Sequence, residues 1–274
     1  MKKILVIGFI LLISCSIYAQ KKILIVGDSW AETIWRANAL DSVLQKNGFP
    51  AGLTEGGEGD SKNGNLTAIG GSRAEQWAQN HSDWQSRIRS GISQNPTISI
   101  VHLIIGGNDF LNVATKNNIM EISPLLRDHQ WNIIKNNIQL LVDYCLSLKP
   151  DLKVLICDYD YLNIENAHKI YGYDFGGMGQ RQVNEAFAEL GLKKMEIAES
   201  NDRCFYIENW GVLDEYYNQQ QNREKNPFAY PSGDLNAIMP AKADVGDGIH
   251  PNVEAHKVML QRAVDLFYKK VLDL

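Results

Sequence analysis

Cysteine is scarce in this sequence, with four among 274 residues, and so small a number argues against a fold held together by disulfide bonds. Cys15 lies near the amino terminus, which leaves Cys145, Cys157 and Cys204, and three thiols cannot all pair with one another. Cys145 lies in a helix-like apolar run and Cys157 ends a strand-like one. We therefore expect buried free thiols instead of a disulfide framework.

Long hydrophobic runs are also missing after residue 20. None of the later apolar runs approaches the ~20 residues that a membrane-spanning helix needs, so no integral membrane segment is expected in the mature chain. Positive charge is not in excess either, since 27 Lys and Arg stand against 32 Asp and Glu, for a net charge of −5. A protein with this charge repels polyanions, so we expect no nucleic-acid partner.

The first 20 residues have the pattern of a secretory signal peptide. Lys2 and Lys3 precede an apolar stretch over residues 4–13, and small or polar residues then lead to Ala19. This order predicts export and cleavage near Gln20, which leaves one domain over residues 21–274 in a secreted or periplasmic protein. Two alternatives remain: a buried amino-terminal strand, or a lipoprotein box at residues 12–15 that anchors the protein through Cys15.

Apolar, β-branched runs alternate with helix-like stretches along the rest of the chain, which predicts a parallel sheet. The runs lie at residues 22–26, 97–105, 153–157 and 203–207, and a further strand is expected between residues 51 and 69. Helices are predicted over residues 33–46, 74–90, 124–148 and 181–199, and after Pro251 with Asn252 as N-cap. Two long stretches, residues 159–179 and 211–246, are predicted to be loops, and loops of that length often carry function.

Ser29 is the first candidate functional residue. The strand that ends at Val26 runs through Gly27 and Asp28 into a helix, so Ser29 should stand at the carboxyl end of a strand. Ligands of open α/β sheets bind at that edge. Ser29 with Glu32 three residues later also fits a helix capping box, which would explain the serine without any chemistry.

Two later clusters can likewise be interpreted either as functional or as purely structural. The sequence GGND at residues 106–109 follows a strand, where glycine admits a ligand and Asn108 can donate a hydrogen bond, although a polar turn uses the same residue types. Asp247 precedes His250 by three residues, so its carboxylate can reach Nδ1 and turn Nε2 toward a substrate. An Asx turn at Asp247, with His250 as a packing residue, is the alternative.

Together and in this order, the clusters resemble the SGNH hydrolases of the GDSL lipase and esterase superfamily, over residues 22–274. The resemblance implies a flavodoxin-like three-layer α/β/α sandwich with about five parallel strands. It also implies that Ser29 is the nucleophile, His250 its base and Asp247 the acidic partner of His250. Ser29 N–H, Gly71 N–H and the Asn108 amide would bind the oxyanion, with Gly70 as the alternative to Gly71. Trp30 stands where the family usually has leucine, a difference that should alter packing and not chemistry.

By the same resemblance, the protein is expected to cleave carboxylic esters through an acyl-enzyme, without metal or cofactor. The expected substrate is a short acyl ester, acetyl on a carbohydrate, because the predicted loops mix aromatic side chains with hydrogen-bonding ones. Residues 69–74 also resemble the second block of family members that deacetylate plant polysaccharides. A lipase or lysophospholipase is the alternative. The aromatic residues are Tyr159, Tyr161, Tyr171, Tyr173, Phe175, Tyr216, Tyr217 and Tyr230.

Three other classes fit less well. An α/β-hydrolase would need the sequence Gly-x-Ser-x-Gly after a central strand, and residues 27–31 miss it by one residue. A metal-dependent phosphoesterase could use Asp28, Asn108, Asp109 and His250 as ligands, but the Asp-x-His and Gly-Asn-His-Asp spacings are absent. A non-catalytic glycan-binding module would have no need for the full set of hydrolase residues.

Overall fold

All strand pairs of the central sheet are parallel in this computed structural model, which describes residues 20–59, 64–79, 82–116, 118–218 and 246–272. The sheet has five strands in the order β2-β1-β3-β4-β5. They are β1 (Ile23–Gly27), β2 (Thr54–Glu55), β3 (Ile100–Ile104), β4 (Lys153–Cys157) and β5 (Cys204–Ile207). The chain leaves β1 toward β2 on one side and returns to β3 on the other, which opens a crevice at the carboxyl ends of β1 and β3.

Two sets of helices cover the sheet. One set, α1, α2, α9 and α10, is connected by mutual contacts, and α3, α4, α6 and α8 form the other. Both sets contact strands, so the fold is the flavodoxin-like three-layer α/β/α sandwich that the sequence predicted. The helices are α1 (Ser29–Arg36), α2 (Ala39–Lys46), α3 (Ala74–Ala78), α4 (Asp83–Gln94), α5 (Gly107–Ala114), α6 (Pro124–Leu148), α7 (Ile164–Tyr171), α8 (Gln180–Glu199), α9 (Val212–Asn218), α10 (Val253–Ala263) and α11 (Lys269–Val271), with a π-helical turn at Val264–Tyr268.

The strands form because their side chains are apolar on both faces. Every residue of β1 and β3 is buried, as expected for central strands of a parallel sheet covered by helices on both sides. Among the residues of β1 and β3, His102 in β3 is the one with a polar side chain. Its Nδ1 lies 2.7 Å from the hydroxyl of Tyr268. Burial lowers the pKa of His102 to about 4, so this histidine is neutral in the folded protein.

Helix α6 begins and ends where the sequence predicted, with the Ser123 side chain accepting from Leu126 N–H as N-cap. Residues 33–46, by contrast, belong to two helices, because Asn38 adopts a left-handed conformation (φ 53°) between α1 and α2. Residues 74–90 are also divided between two helices, and Ser82 caps the second. Periodicity missed both breaks since each side continues the apolar pattern.

The prediction that residues 159–179 form a loop is wrong in part, because α7 lies within them with Asn163 as its N-cap. The segment before α7 is buried and held by Asp160, whose carboxylate accepts the N–H groups of Gly211 and Leu213. Burial raises the pKa of Asp160 to about 7, against these hydrogen bonds. Helix α9 begins the second predicted loop, and residues 219–245 lie outside the described residues, as do residues 1–19 with the predicted signal peptide and Cys15.

The three cysteines of the described chain, Cys145, Cys157 and Cys204, are free and buried, as predicted. Burial raises the pKa of the Cys145 thiol to about 12, so it is an inert packing group. Across the described ranges, no helix combines the length and the apolar character needed to cross a membrane.

Candidate active site

Ser29 lies at the first position of α1, directly beyond the carboxyl end of β1. A glycine is required just before it, because a Cβ on Gly27 would lie 1.8 Å from the main-chain oxygen of Ile104 on β3. Asp28 is the N-cap, since its Oδ1 accepts from Trp30 N–H at 3.1 Å. The capping-box interpretation of Ser29 is therefore wrong: Asp28 performs the capping, and the Ser29 hydroxyl is left for another partner.

That partner is His250. Its Nε2 lies 3.0 Å from Ser29 Oγ, and its Nδ1 lies 3.0 Å from Asp247 Oδ2. The other carboxylate oxygen, Asp247 Oδ1, accepts the main-chain N–H groups of Ile249 (2.9 Å) and His250 (2.6 Å). The Asx turn considered as an alternative is thus present and operates together with the Asp–His contact. The three residues form a continuous hydrogen-bonded chain from carboxylate to hydroxyl.

The loop that carries His250 is fixed from two sides. The indole N–H of Trp30 donates to the main-chain oxygen of Ile249 at 3.0 Å, and Asn163 N–H donates to the oxygen of Gly248 at 2.9 Å. Asn252 then caps α10, as predicted, by accepting from Ala255 N–H. Because Trp30 and Asn163 are themselves buried, these bonds hold the loop and its imidazole in one place.

Asn108 lies on the first turn of α5 and lines the same cavity as Ser29. One N–H of its amide donates to the main-chain oxygen of Ser72 at 3.1 Å, which leaves the second N–H for a ligand. Ser72 in turn donates its hydroxyl to the oxygen of Gly27 at 3.2 Å. Asp109 accepts from Ala74 N–H at 2.9 Å. Residues 72–74 are therefore tied to both of the other loops at the site.

Gly70 and Gly71, the two candidate oxyanion donors, differ in their surroundings. Gly70 N–H donates to Glu32 Oε2 at 2.6 Å, so this donor is already used. Gly71 has φ of +77°, a conformation that favours glycine, and a Cβ there would meet open space. The geometry favours Gly71 over Gly70 as a donor to a ligand.

Beneath Ser29 is a buried polar cluster that the sequence did not reveal. The hydroxyl of Tyr159 donates to Asp28 Oδ2 at 2.5 Å and accepts from Gly107 N–H at 2.9 Å, which joins the nucleophile loop to the Asn108 loop. Burial raises the pKa of Asp28 to about 6, although the hydrogen bonds from Tyr159 and Trp30 act to lower it. Next to Tyr159, Lys194 Nζ pairs with Asp158 Oδ1 at 2.6 Å and lies 4.4 Å from the Tyr159 ring centre.

The predicted aromatic rim is only partly present. Tyr159, Tyr161 and Phe175 are buried in the core, so they do not form an exposed rim, although Tyr159 lines the small cavity beside Ser29. Tyr171 and Tyr173 are the members that lie beside the site, with their ring centres 5.7 Å apart and Tyr171 6.0 Å from His250. Tyr216 and Tyr217 line a different groove, together with α2 and α10. Tyr230 is not among the described residues.

A small cavity of about 20 Å³ lies between Ser29 and Asn108. Its walls include the apolar side chains of Leu111, Leu162, Phe187 and Ile249. This volume is far below the ~300–1,000 Å³ of ligand pockets and close to the space that one water molecule needs. Within the described ranges, no group of three His, Cys, Asp or Glu side chains is arranged to hold a metal, and the carboxylates of Asp28 and Asp109 are taken up by the hydrogen bonds given above.

Solved structures with the same fold include several esterases. A carbohydrate esterase family 3 protein from Talaromyces cellulolyticus aligns at 14% identity and a TM-score of 0.52, covering 92% of this chain and 100% of its own. A carbohydrate acetylesterase family member from Sinorhizobium meliloti aligns at 15% identity and a TM-score of 0.50, covering 93% and 100%. A protein described as a GDSL-like lipase, from Parabacteroides merdae ATCC 43184, aligns at 14% identity and a TM-score of 0.53, covering 90% and 96%.

No curated protein matches the sequence significantly. The profile of the family described as GDSL-like Lipase/Acylhydrolase, however, matches residues 23–263, which is most of the chain. That range contains β1 with Ser29, the Asn108 loop, and the loop of Asp247 and His250. The chain therefore belongs to the GDSL-like lipase/acylhydrolase family and is a carboxylic ester hydrolase.

Proposed function

We propose that Ser29 is the nucleophile of this hydrolase, His250 its general base, and Asp247 the carboxylate that orients His250. The supporting observation is the pair of 3.0 Å contacts, from Ser29 Oγ to His250 Nε2 and from His250 Nδ1 to Asp247 Oδ2. With Nδ1–H donated to Asp247, Nε2 is the unprotonated nitrogen and can accept the Ser29 proton as Oγ attacks the ester carbonyl. The resulting imidazolium then gives that proton to the leaving alcohol.

The attack produces a tetrahedral intermediate whose oxyanion needs donors close to Ser29. We assign these to Ser29 N–H, Gly71 N–H and the second amide N–H of Asn108, since Gly70 N–H already bonds to Glu32. One such donor contributes ~3–4 kcal/mol to transition-state stabilisation. Collapse of the intermediate leaves an acyl group on Ser29. Water, deprotonated by His250, then releases the acid and restores the hydroxyl.

The test is covalent labelling with a fluorophosphonate, followed by peptide mass analysis. We expect the label on Ser29, and no labelling and no turnover of an activated acetyl ester in Ser29→Ala or His250→Ala. Wild-type turnover in Ser29→Ala would contradict the mechanism. Loss of that turnover on addition of EDTA would favour a metal-dependent reaction. A wild-type protein that shows neither labelling nor turnover would instead favour a glycan-binding module.

We propose that the preferred substrate is a short acyl ester, acetyl on a carbohydrate. The small cavity beside Ser29 supports a short acyl chain, since its apolar walls end at the core residues Leu162 and Phe187. Tyr171 lies beside His250 and Tyr173 packs against Tyr171, and both keep part of their surface exposed. They support a sugar as the alcohol part because aromatic faces pack against sugar rings. Two of the structures that share the fold are named as carbohydrate esterases or acetylesterases, which agrees with this choice.

A chain-length series of p-nitrophenyl esters, measured beside acetylated xylan, pectin and peptidoglycan, tests the substrate proposal. We expect kcat/KM to be highest for acetate and acetate release from at least one of the glycans. A maximum at long acyl chains without acetate release from any glycan would identify a lipase or lysophospholipase instead.

We also propose that the protein is exported and released after cleavage near Gln20. The support is the charge and apolar pattern of residues 1–20, together with the start of β1 at Ile23, which leaves only a short lead into the domain. Intact-mass analysis of the native protein tests this. A mature chain that starts at Gln20 or Lys21 is expected, whereas a diacylglyceryl group on Cys15 would show a lipoprotein.

A further inference from the structure

Tyr171, the last residue of α7, is in direct contact with the acid of the Ser–His–Asp chain. Its hydroxyl donates to Asp247 Oδ2 and lies 3.3 Å from His250 Nδ1. The ring of Tyr171 stands nearly perpendicular to the imidazole, at 76° with 6.0 Å between centres. Neither contact belongs to a sequence block that carries the family resemblance. Tyr171 reaches the site because α7 interrupts a segment that sequence patterns describe as a loop.

The contact completes the hydrogen bonding of Asp247. A carboxylate can accept about four hydrogen bonds, two at each oxygen. Asp247 Oδ1 accepts the N–H groups of Ile249 and His250, and Oδ2 accepts His250 Nδ1–H. These three donors come from the same tight turn as Asp247 itself. The fourth donor to the carboxylate, Tyr171, comes from outside this turn.

We propose that Tyr171 is a positioning residue of this active site, whose hydroxyl holds the Asp247 carboxylate ionised and turned toward His250. The inference rests on the proposed function, since it assigns Tyr171 a role through Asp247 and His250. The Tyr171 hydroxyl contacts Asp247 and His250 and not Ser29 Oγ, so the effect of this hydroxyl on the nucleophile is transmitted by the carboxylate.

The charges at the site agree with this role. Burial acts to raise the pKa of Asp247, but the hydrogen bonds from His250 N–H, the Tyr171 hydroxyl and Ile249 N–H outweigh it and lower that pKa. Partial burial and the same bond to Asp247 raise the pKa of Tyr171 to about 12, so the phenol stays protonated and remains a donor at every working pH.

Other groups packed around His250 add no further charge to the Asp247–His250 pair. Ser29 faces the imidazole from α1, and His256 faces it from α10. Burial and the nearby His250 lower the pKa of His256 to about 3, so His256 is neutral wherever the enzyme is folded and active. Within the described structure, Asp247 is the charged group that contacts His250, and Tyr171 is the titratable side chain that contacts both.

Tyr171→Phe removes the hydroxyl and keeps the ring, so it isolates this bond. Without this donor, the pKa of Asp247 rises, and its negative charge interacts more strongly with a protonated His250. Both changes favour protonation of the Asp247–His250 pair. We expect the acid limb of the kcat/KM profile to move to higher pH by about half a unit to one unit. At the plateau, kcat should fall about three-fold to ten-fold with little change in KM, as the loss of one hydrogen bond to a charged group implies.

Tyr144→Phe is the matched control. It also removes a hydroxyl that donates a hydrogen bond, to the main-chain oxygen of Gln85 at 2.8 Å, but on α6 and away from the site. Its pH profile should coincide with that of wild type. In an Asp247→Asn background, Tyr171→Phe should have no further effect on kcat, because the two changes remove the same interaction.

A second measurement does not depend on activity. The carboxyl carbon of Asp247, assigned through Asp247→Asn, can be titrated by 13C NMR, and its midpoint should lie at higher pH in Tyr171→Phe than in wild type. An unchanged midpoint and an unchanged acid limb would overturn the role of Tyr171 while leaving the triad intact. Failure of the triad is recognised separately, by full activity in Ser29→Ala, and the NMR titration then still decides whether Tyr171 acts on Asp247.

Discussion

Trp30 donates its indole N–H to the main-chain oxygen of Ile249 at 3.0 Å, so the residue after Ser29 is bonded to the residue before His250. The indole is buried and also packs edge-on against Tyr159 and His256. Leucine, which the family usually has at this position, could not form the hydrogen bond. The substitution expected from sequence to affect packing alone therefore links the two loops that carry the proposed nucleophile and base.

Trp30→Phe tests this link, because phenylalanine keeps an aromatic ring and loses the donor. We expect kcat to fall about ten-fold with KM nearly unchanged, since small displacements of a base from its nucleophile are costly. Trp35→Phe is the control: Trp35 also donates its indole to a main-chain oxygen, that of Gly57 at 2.9 Å, but makes no bond to the His250 loop. Equal loss of kcat in both variants would show a general effect on stability.

Asn108→Ala removes the proposed side-chain donor to the oxyanion. Because Ser29 N–H and Gly71 N–H would remain, activity should persist at a low level, with kcat about 10²–10³-fold lower than wild type. Steady-state kinetics on an activated acetyl ester measures the change. Since Asn108 also bonds to the oxygen of Ser72, the melting temperature of the variant serves to separate a folding defect from a catalytic one.

Leu111→Ala enlarges the cavity beside Ser29, whose wall it forms on α5. The best acyl chain should become longer than acetyl, by roughly the two or three carbons that the deleted side chain occupied. The chain-length series of p-nitrophenyl esters measures this shift. A uniform loss of kcat/KM at every chain length would show that Leu111 does not limit the acyl group.

Tyr159→Phe removes the hydroxyl that joins Asp28, before Ser29, to Gly107, before Asn108. It leaves Asp28 Oδ2 and Gly107 N–H buried without the hydroxyl that joins them, which should lower the free energy of unfolding by about 1–3 kcal/mol. Urea denaturation measures the loss. The companion variant Tyr206→Phe removes a partly buried hydroxyl that donates to Asp158 at 2.7 Å, and should cost less.

His256 makes the stability of the fold depend on pH. Its pKa is lowered to about 3 in the folded protein, against an unfolded value of about 6.5, so between these values the unfolded chain binds the extra proton. The contribution is complete above pH 6.5 and is lost as pH falls, by up to about 1.4 kcal/mol per pH unit. Unfolding of wild type and His256→Gln, compared from pH 7 to 5, should show the difference between them shrinking toward low pH.

Much of the fold could be predicted because its signals are local. Strands such as β3 and β4 are continuous apolar runs, and α6 has both a capping serine and a clear apolar face. Strand β2 has only two residues, too few to form a pattern, and it is defined by pairing with β1. The break between α1 and α2 depends on one left-handed residue, Asn38, which periodicity does not reveal.

The proposed triad was also accessible from sequence, through short motifs whose combination is specific. What sequence could not provide were the contacts that position it, because these join residues far apart in the chain. Trp30 and Ile249 are separated by 219 positions, and Tyr171 and Asp247 by 76. Tyr159 was expected at the substrate rim and is instead buried under Ser29, since an aromatic residue in a polar segment has no pattern that separates core from surface.

Ser29 follows the first strand of the sheet, and His250 precedes α10. The two residues are 221 positions apart in the chain, yet Ser29 Oγ and His250 Nε2 lie 3.0 Å apart. A ribosome-bound or truncated chain can therefore contain the complete strand and the serine and still have no means to activate it. In the proposed mechanism, hydrolytic activity therefore requires the carboxyl-terminal segment to dock against α1. Ester cleavage is thus a direct assay for completed folding, and a fragment that ends before residue 247 serves as its inactive reference.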